Sequence, residues 1–418
     1  MVLSNSLTSI SEFLFRSTGL TSVTIPEGVT LIDYAAFQDC ADLEIVSFPS
    51  TLKTIENKAF YNCGKLTTIV IPEKVTYIGT SAFDGLNALE TVVLPDSLEM
   101  VGAYNFNEEG CQNLSFNVYD NARYLGNENN PYLILISALD KDITSCTIHE
   151  NTKIIGSRAF YCCDELLTIS IPDSVKTVGN DAFYGCSKIV QIDIENVEIL
   201  GDSVFGFCSS LESVVLPKSI TSIPDGCFRN CGALKKIDFP NTVTEICNDA
   251  FFGCEGLKYI NLPGGLTKIG EEAFFLAGFS FIYIPASVSY IGHCAFDACE
   301  NIKSIYCASE SQPSGWDERW TEYILDVVVW GSVEMYFDEN IKYTINTDGT
   351  LKVAKFYNET ATSVEIPSSF EGRAAILSAS AAASAAASGR QHTEAPDECP
   401  AQGDREDNGR ARSYDGWK

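Results

Sequence analysis

The side chains of this sequence best suited to nucleophilic or metal chemistry are its 16 cysteines and three histidines, His149, His293 and His392. A nucleophilic serine or cysteine needs an imidazole within hydrogen-bond reach to take its proton. The histidines stand in unrelated settings, none in step with such a nucleophile, so a triad lacks its base. No CxxC pair with histidine support marks a zinc site, and no D-x-D-x-D-G loop marks a calcium site. The phosphate, hydrolase and metalloprotease signatures G-x-x-x-x-G-K-[ST], G-x-S-x-G and H-E-x-x-H are missing as well. We therefore expect no enzyme, no resident metal and no cofactor. The charge balance narrows the partners further. With 56 Asp and Glu against 28 Lys and Arg, the formal net charge is −28. Nucleic acid and anionic membrane surfaces need clustered cations, so neither is expected as the main partner.

What remains is non-covalent recognition, and one set of residues suits it. Lys235, Lys236, Lys258, Tyr259, Phe281, Tyr283, Lys303 and Tyr306 bring cations and rings together in an otherwise acidic chain. Rings stack on sugars or on other rings, and ammonium groups bond hydroxyls and carboxylates. A contiguous patch of exposed aromatics generally signifies contact with something. The competing reading is that Tyr and Phe are simply good strand residues. Whether these residues meet depends on the elements that carry them.

Those elements are repeats. Proline recurs at Pro26, Pro49, Pro72 and Pro95, and again at Pro172, Pro217, Pro240, Pro263 and Pro285, mostly 23 residues apart. His149, Glu195 and Ala308 fill the remaining beats. Ahead of each lies L-x-x-I-x-I, as in LTSVTI at 20, LTTIVI at 66, LESVVL at 211 and LKYINL at 257. Alternate apolar residues predict a short, half-buried strand, and the proline stops it and turns the chain. Eleven residues after the proline comes an Ala-Phe pair, for example Ala59-Phe60 and Ala295-Phe296. One such coil cannot bury its own apolar edge, but stacked coils share a continuous core. About a dozen coils at ~4.8 Å per strand would span roughly 55 Å. The candidate ligand residues all fall on the outward x positions of L-x-x-I-x-I in the last coils. In early coils these positions hold residues such as Thr21, Ser22, Thr24 and Glu44.

Most cysteines follow the same beat. Cys40, Cys63, Cys163, Cys186, Cys208, Cys231, Cys254 and Cys299 each stand three residues after the phenylalanine. They make a ladder on the side away from the strands. Disulfides between neighbouring coils are conceivable on spacing. A row of identical neighbours has no fixed pairing, however, which favours small apolar residues filling a tight turn.

The unit L-x-x-I-x-I-P-x-x-V-x-x-I-G-x-x-A-F-x-x-C resembles the BspA-like leucine-rich repeat family. KLTTIVIPEKVTYIGTSAF and LLTISIPDSVKTVGNDAFYGC match nearly position by position. The resemblance implies a β-rich, right-handed leucine-rich repeat solenoid with a parallel strand sheet. It also implies a secreted or cell-surface protein that recognises a host or neighbouring-cell protein or a glycan. The alternative is an intracellular or periplasmic protein-protein interaction scaffold. No apolar run of 18 residues encodes a membrane span, and no signal peptide or anchor is visible in the chain.

The array is expected over 1–308. Between Pro95 and His149 the spacing widens to 54 residues, so an insertion is expected over about 107–142. VYDNARYLG and NPYLILIS predict a β-hairpin bulging from the array. Trp316, Trp320 and Trp330 predict an aromatic C-terminal cap over 309–331. A small β segment with an Asp348-Gly349 turn is expected over 332–371, where TSVEIPSSFEG opens a further repeat block. From 372 to 418 the alanine and serine run and the polar tail predict disorder.

Overall fold

The computed structural model describes residues 3–107, 110–321 and 325–337, with strands at Ile341–Ile345, Leu351–Phe356, Ser369–Phe370 and Arg373–Ile376. The chain winds as a parallel-strand solenoid of about 14 turns. Helix among the described residues is confined to one short 3-10 turn, Leu325–Val327. Most coils carry two strands rather than the one expected. L-x-x-I-x-I forms three-residue strands such as Ser22–Thr24, paired in parallel with Ile45–Ser47. V-x-x-I, read from sequence only as inward residues, forms a second ladder of two-residue strands. That ladder steps through Ser9, Leu31, Thr54, Tyr77 and Met100 without a break.

Phenylalanine organises the core. Phe15, Phe37, Phe60, Phe83 and Phe106 stack one above another with ring centroids 5.0–5.5 Å apart. A second column runs from Phe160 through Phe183, Phe205, Phe228, Phe251 and Phe274 to Phe296, at 5.3–5.8 Å. These spacings are slightly wider than the rise of a parallel ladder, so one ring per coil fills the interior without a gap. The backbone locks the stack: Phe60 N–H donates to Ala82 O, and Phe160 N–H to Ala182 O, each at 2.8 Å. The glycine of I-G is required where coils approach most closely. A Cβ on Gly179 would lie 2.5 Å from the backbone nitrogen of Ser157.

The cysteines have a role beyond filling space. Cys40, Cys63, Cys186, Cys208, Cys231, Cys254 and Cys299 each donate Sγ–H to the carbonyl of the preceding coil's phenylalanine, at 3.0–3.1 Å. Each of these carbonyls already accepts the backbone N–H three residues on, as Phe37 O does from Cys40 and Phe160 O from Cys163, and the thiol adds a second, weak donor small enough for the turn. All 15 described cysteines are free thiols. Burial pushes the thiols of Cys163, Cys208 and Cys254 up to about 12, so they stay protonated, whereas the hydrogen bond with the Cys63 thiol lowers Cys40 at the start of the ladder. We expect thiol titration of the unfolded, unreduced protein to count nearly all 16 cysteines of the chain. Fewer than half would mean cross-linking and would remove this role.

The insertion departs from expectation in its placement. The hairpin exists: Ala122–Leu125 pairs antiparallel with Ile134–Ala138, and Asn117–Tyr119 adds a third strand. It does not bulge from the array, because Ile134 and Leu135 pair in parallel with Ile154 and Ile155 as a rung of the second ladder. Tyr124 and Leu135 face the core that follows, while Leu125 and Ile134 face the core that precedes. The meander is thus a spacer between the two phenylalanine columns. Alternating apolar residues on both faces allow it to serve both sides.

At the far end the solenoid closes on tryptophans. Trp320 is fully buried and meets Phe296 edge-on at 5.7 Å and 89°. Trp316 bridges to Ile291 as a last rung, and its Nε1–H donates to Val288 O at 3.1 Å. With the rung of the insertion, this adds two turns to the dozen expected. Beyond Gly331 a five-stranded sheet forms from residues 335–376. Within the range expected as tail, Arg373–Ile376 is a strand that pairs with both Leu351–Lys352 and Ser369–Phe370. Pairing needs only backbone groups, so a run of small side chains does not prevent it. The Asp348-Gly349 turn, most of TSVEIPSSFEG, His392 and the rest of the alanine and serine tail lie outside the described residues.

Candidate functional site

The residues with catalytic potential are dispersed. His149 packs in an aromatic cluster, stacked on Tyr132 at 3.9 Å and edge-on to Tyr119 at 4.9 Å. His293 Nδ1 lies 3.2 Å from Asp317 Oδ1, a carboxylate held below its usual range by the backbone N–H of Arg319 and by His293. Cys294 is adjacent in sequence, but burial and Asp297 push its thiol up to about 12. It is therefore a poor source of thiolate. Among the described residues, no group of three His, Cys, Asp or Glu side chains is placed to hold a metal ion.

The lysine and aromatic set lies along consecutive coils, as its shared pattern position requires. Phe281–Ile284 and Ser304–Cys307 pair in parallel, which sets Tyr283 directly beside Tyr306. Ladder pairing lapses over the two coils before them, so Lys235, Lys236, Lys258 and Tyr259 stand on extended chain instead. The lysines carry local partners. Lys235 Nζ is 2.5 Å from Glu212, Lys236 is 2.7 Å from Asp238, and Lys258 donates to Glu255 O at 3.1 Å. Lys303 Nζ sits 5.9 Å from the centre of the Phe281 ring. Lys65–Asp42 and Lys188–Glu165 repeat the Lys235–Glu212 geometry on other coils, so that pair belongs to the repeat. Exposed pairs of this kind hold their ions weakly and leave the cation accessible.

The aromatic half of the set differs from its sequence reading. Phe281, Tyr283 and Tyr306 fall on outward positions of the repeat, where the pattern gives them no packing partner in the core. Instead, the strand Met335–Phe337 lies against them. The Phe337 ring is nearly parallel to Phe281 at 5.7 Å and to Tyr306 at 5.9 Å, and only 1% of the residue is exposed. Lys342 Nζ stands 4.0 Å from the Tyr306 ring. Asn261 completes the contact, because its Nδ2–H donates to Phe337 O at 3.0 Å and its Oδ1 accepts from Phe337 N–H at 2.9 Å. An open cleft of about 250 Å³ persists beside this strand, between Asn261, Tyr283, Pro285, Glu334 and Tyr336. Asn261 falls on an outward x position of LKYINL and was legible as such, but its clamp was not, and Phe337 and Lys342 are site residues that sequence reasoning missed. The alternation in VEMYF was the trace of Phe337, and it reveals a strand without revealing where the strand docks.

A second surface also went unread. Next to the buried phenylalanine column, Tyr161, Tyr184 and Phe207 stack at 5.0–5.2 Å. The Arg158 guanidinium lies 3.5 Å from the Tyr161 ring centre and 4.8 Å from that of Tyr104. These residues follow the Ala-Phe beat by one or two positions, so stacking of coils lines them up too.

Comparison with known proteins places the chain among repeat proteins. A family model described as a BspA type leucine rich repeat region matches six copies, over residues 2–129, 139–246 and 221–315. A leucine-rich repeat protein from Bacteroides ovatus is similar at 26% identity, covering 78% of this chain and 82% of that one, with a TM-score of 0.37. One from Eubacterium ventriosum is similar at 21% identity, covering 71% and 85%, with a TM-score of 0.39. A leucine rich cell surface protein from Faecalibacterium prausnitzii shares 28% identity, covering 75% and 64%, with a TM-score of 0.29. No curated protein matches the chain.

Proposed function

The chain belongs to the BspA-type leucine-rich repeat family, and from that premise we propose that it is a secreted or cell-surface recognition protein. Its strand face over the last coils binds a protein or glycan of a host or neighbouring cell. The observation that carries this reading is the concentration of Tyr259, Phe281, Tyr283 and Tyr306, with Lys235, Lys236, Lys258 and Lys303, on successive coils of a chain with net charge −28. Amphipathic rings beside accessible cations suit acidic or hydroxyl-rich partners. The fold itself is neutral on ligand, so the function rests on this surface.

The test is adhesion of the purified full chain to surfaces coated with extracellular matrix protein or with mucin glycans. Tyr259→Ala combined with Phe281→Ala is expected to weaken binding by about 2 kcal/mol, close to 30-fold, as truncated aromatic anchors commonly do. Thr21→Ala with Thr24→Ala, on an early coil, is expected to be silent. Equal binding by the aromatic double variant and the parent on every surface would sink the proposal.

A second reading, an interaction scaffold inside a cell rather than in the oxidising periplasm, is favoured by the ladder cysteines. They act as protonated donors, which suits a reducing compartment. Fractionation of the native cell distinguishes the two, since the first requires the chain at the surface or in the medium.

A further inference from the structure

We infer that the strand face around Asn261 is a receptor for an extended, aromatic-bearing peptide strand, and that Met335–Phe337 is its resident occupant in cis. The inference rests on the reading of this face as the binding surface and names the class of ligand it takes.

Three features point to peptide rather than sugar. The first is Asn261. Its side-chain amide presents a donor and an acceptor side by side, as a peptide group does, and both engage the N–H and C=O of Phe337. This reads main chain and is indifferent to sequence, apart from excluding proline, which has no N–H. The equivalent positions of other coils hold Thr, Ser, Val, Asp or Tyr, for example Thr24, Ser47, Val70, Asp238 and Tyr283. None of these side chains presents a donor nitrogen and an acceptor oxygen side by side. The second feature is the ring slot. Phe281 and Tyr306, on neighbouring coils, are each nearly parallel to the Phe337 ring, and this aromatic packing buries it fully. A backbone clamp beside a side-chain pocket is how sheet-edge receptors obtain affinity and specificity from an extended peptide.

The third feature is that the occupant belongs to a different sheet. Met335–Phe337 makes its strand pairing with Ile341–Ile345, through Met335↔Thr344 and Phe337↔Lys342. It pairs with no solenoid strand among the described residues, and it meets the solenoid through the Asn261 clamp, the Phe281 and Tyr306 rings and the neighbouring Lys342 on Tyr306. An open cleft beside Tyr283 and Glu334 adjoins it. A strand whose ladder pairing lies in another sheet leaves the clamp and slot without breaking a rung of the solenoid, so its release is a local opening rather than global unfolding. The chain therefore occludes its own receptor, and an incoming strand with an aromatic side chain competes for the same clamp and slot.

The experiment uses the full chain and a fluorescein-labelled peptide of its own residues 332–345, followed by anisotropy. If the cis strand fills the slot more than about 90% of the time, the apparent affinity of the parent is reduced about tenfold or more. Phe337→Ala is expected to bind the peptide at least that much tighter than the parent. Adding Asn261→Ala to Phe337→Ala is expected to reverse the gain. Peptide carrying Ala in place of Phe337 should bind neither protein. Phe337 lies outside the solenoid core, and unfolding of the C-terminal sheet would vacate the slot equally, so a folding defect there does not mask the gain. The inference is overturned if Phe337→Ala and parent bind the peptide alike, or if Asn261→Ala changes nothing in that background. The two readings fail separately. Lost adhesion in the Tyr259 and Phe281 double variant without peptide gain in Phe337→Ala leaves a binding face that is not a strand receptor. Peptide gain with unchanged adhesion leaves a strand receptor that is not the adhesive surface.

Discussion

Phe183→Ala is expected to destabilise the protein by about 3–5 kcal/mol, the range for truncating a buried aromatic. Phe183 is fully buried, with Phe160 at 5.3 Å on one side and Phe205 at 5.8 Å on the other. Removing its ring leaves a void between two rings that cannot close on each other. Each is fixed by its own backbone bond, Phe160 N–H to Ala182 O and Phe205 N–H to Cys227 O. The local ladder holds the walls apart, so relaxation recovers little and the cavity term stays large. Because coil energies in a repeat array couple to nearest neighbours, the transition should also broaden or split. Urea unfolding followed by circular dichroism measures both. A cost under about 1 kcal/mol would mean that the column does not fill the core.

Trp320→Ala carries the second large effect, again about 3–5 kcal/mol, but expressed at one end of the array. Trp320 covers Phe296 edge-on and contacts Trp316 at 5.0 Å. Without it, the apolar edge of the last coil meets water, as the end of any solenoid does without a cap. Hydrogen exchange should therefore accelerate at the amides of Phe274 and Phe296, whose bonds run to Ala295 and to Trp320, and remain unchanged near Phe60. Trp320→Phe should cost much less. The indole Nε1–H has no hydrogen-bond partner among the described residues, so its loss removes an unsatisfied donor along with some packing area. Uniform acceleration along the whole chain in Trp320→Ala would contradict a local cap.

Much of this molecule was legible because a repeat converts sequence period into spatial period. The proline beat, the Ala-Phe pair and the cysteine three residues later each appear as a column, since every coil returns to the same place one ladder step on. The second strand of each coil was missed because two residues are too few to show alternation. The hydrogen-bonding role of the cysteines was missed because a thiol donor and a small apolar residue occupy the same turn with the same spacing. The insertion was legible as a hairpin, yet its placement as a rung depended on Ile134 and Leu135 meeting Ile154 and Ile155, contacts made between coils.

The candidate site divides along the same line. That Lys258, Tyr259, Phe281, Tyr283, Lys303 and Tyr306 share one surface followed from the repeat alone, because equivalent positions in stacked coils must align. That Phe337 lies on that surface, clamped by Asn261 from 76 residues away, could not follow from it. Met335–Phe337 stands outside the repeat, where no period dictates position. Its docking is decided by the fit of one ring and one amide, which exists only once the coils have stacked. Local pattern determined what each coil would be and which residues it would display. Tertiary packing alone decided which of those residues meet solvent and which are already covered.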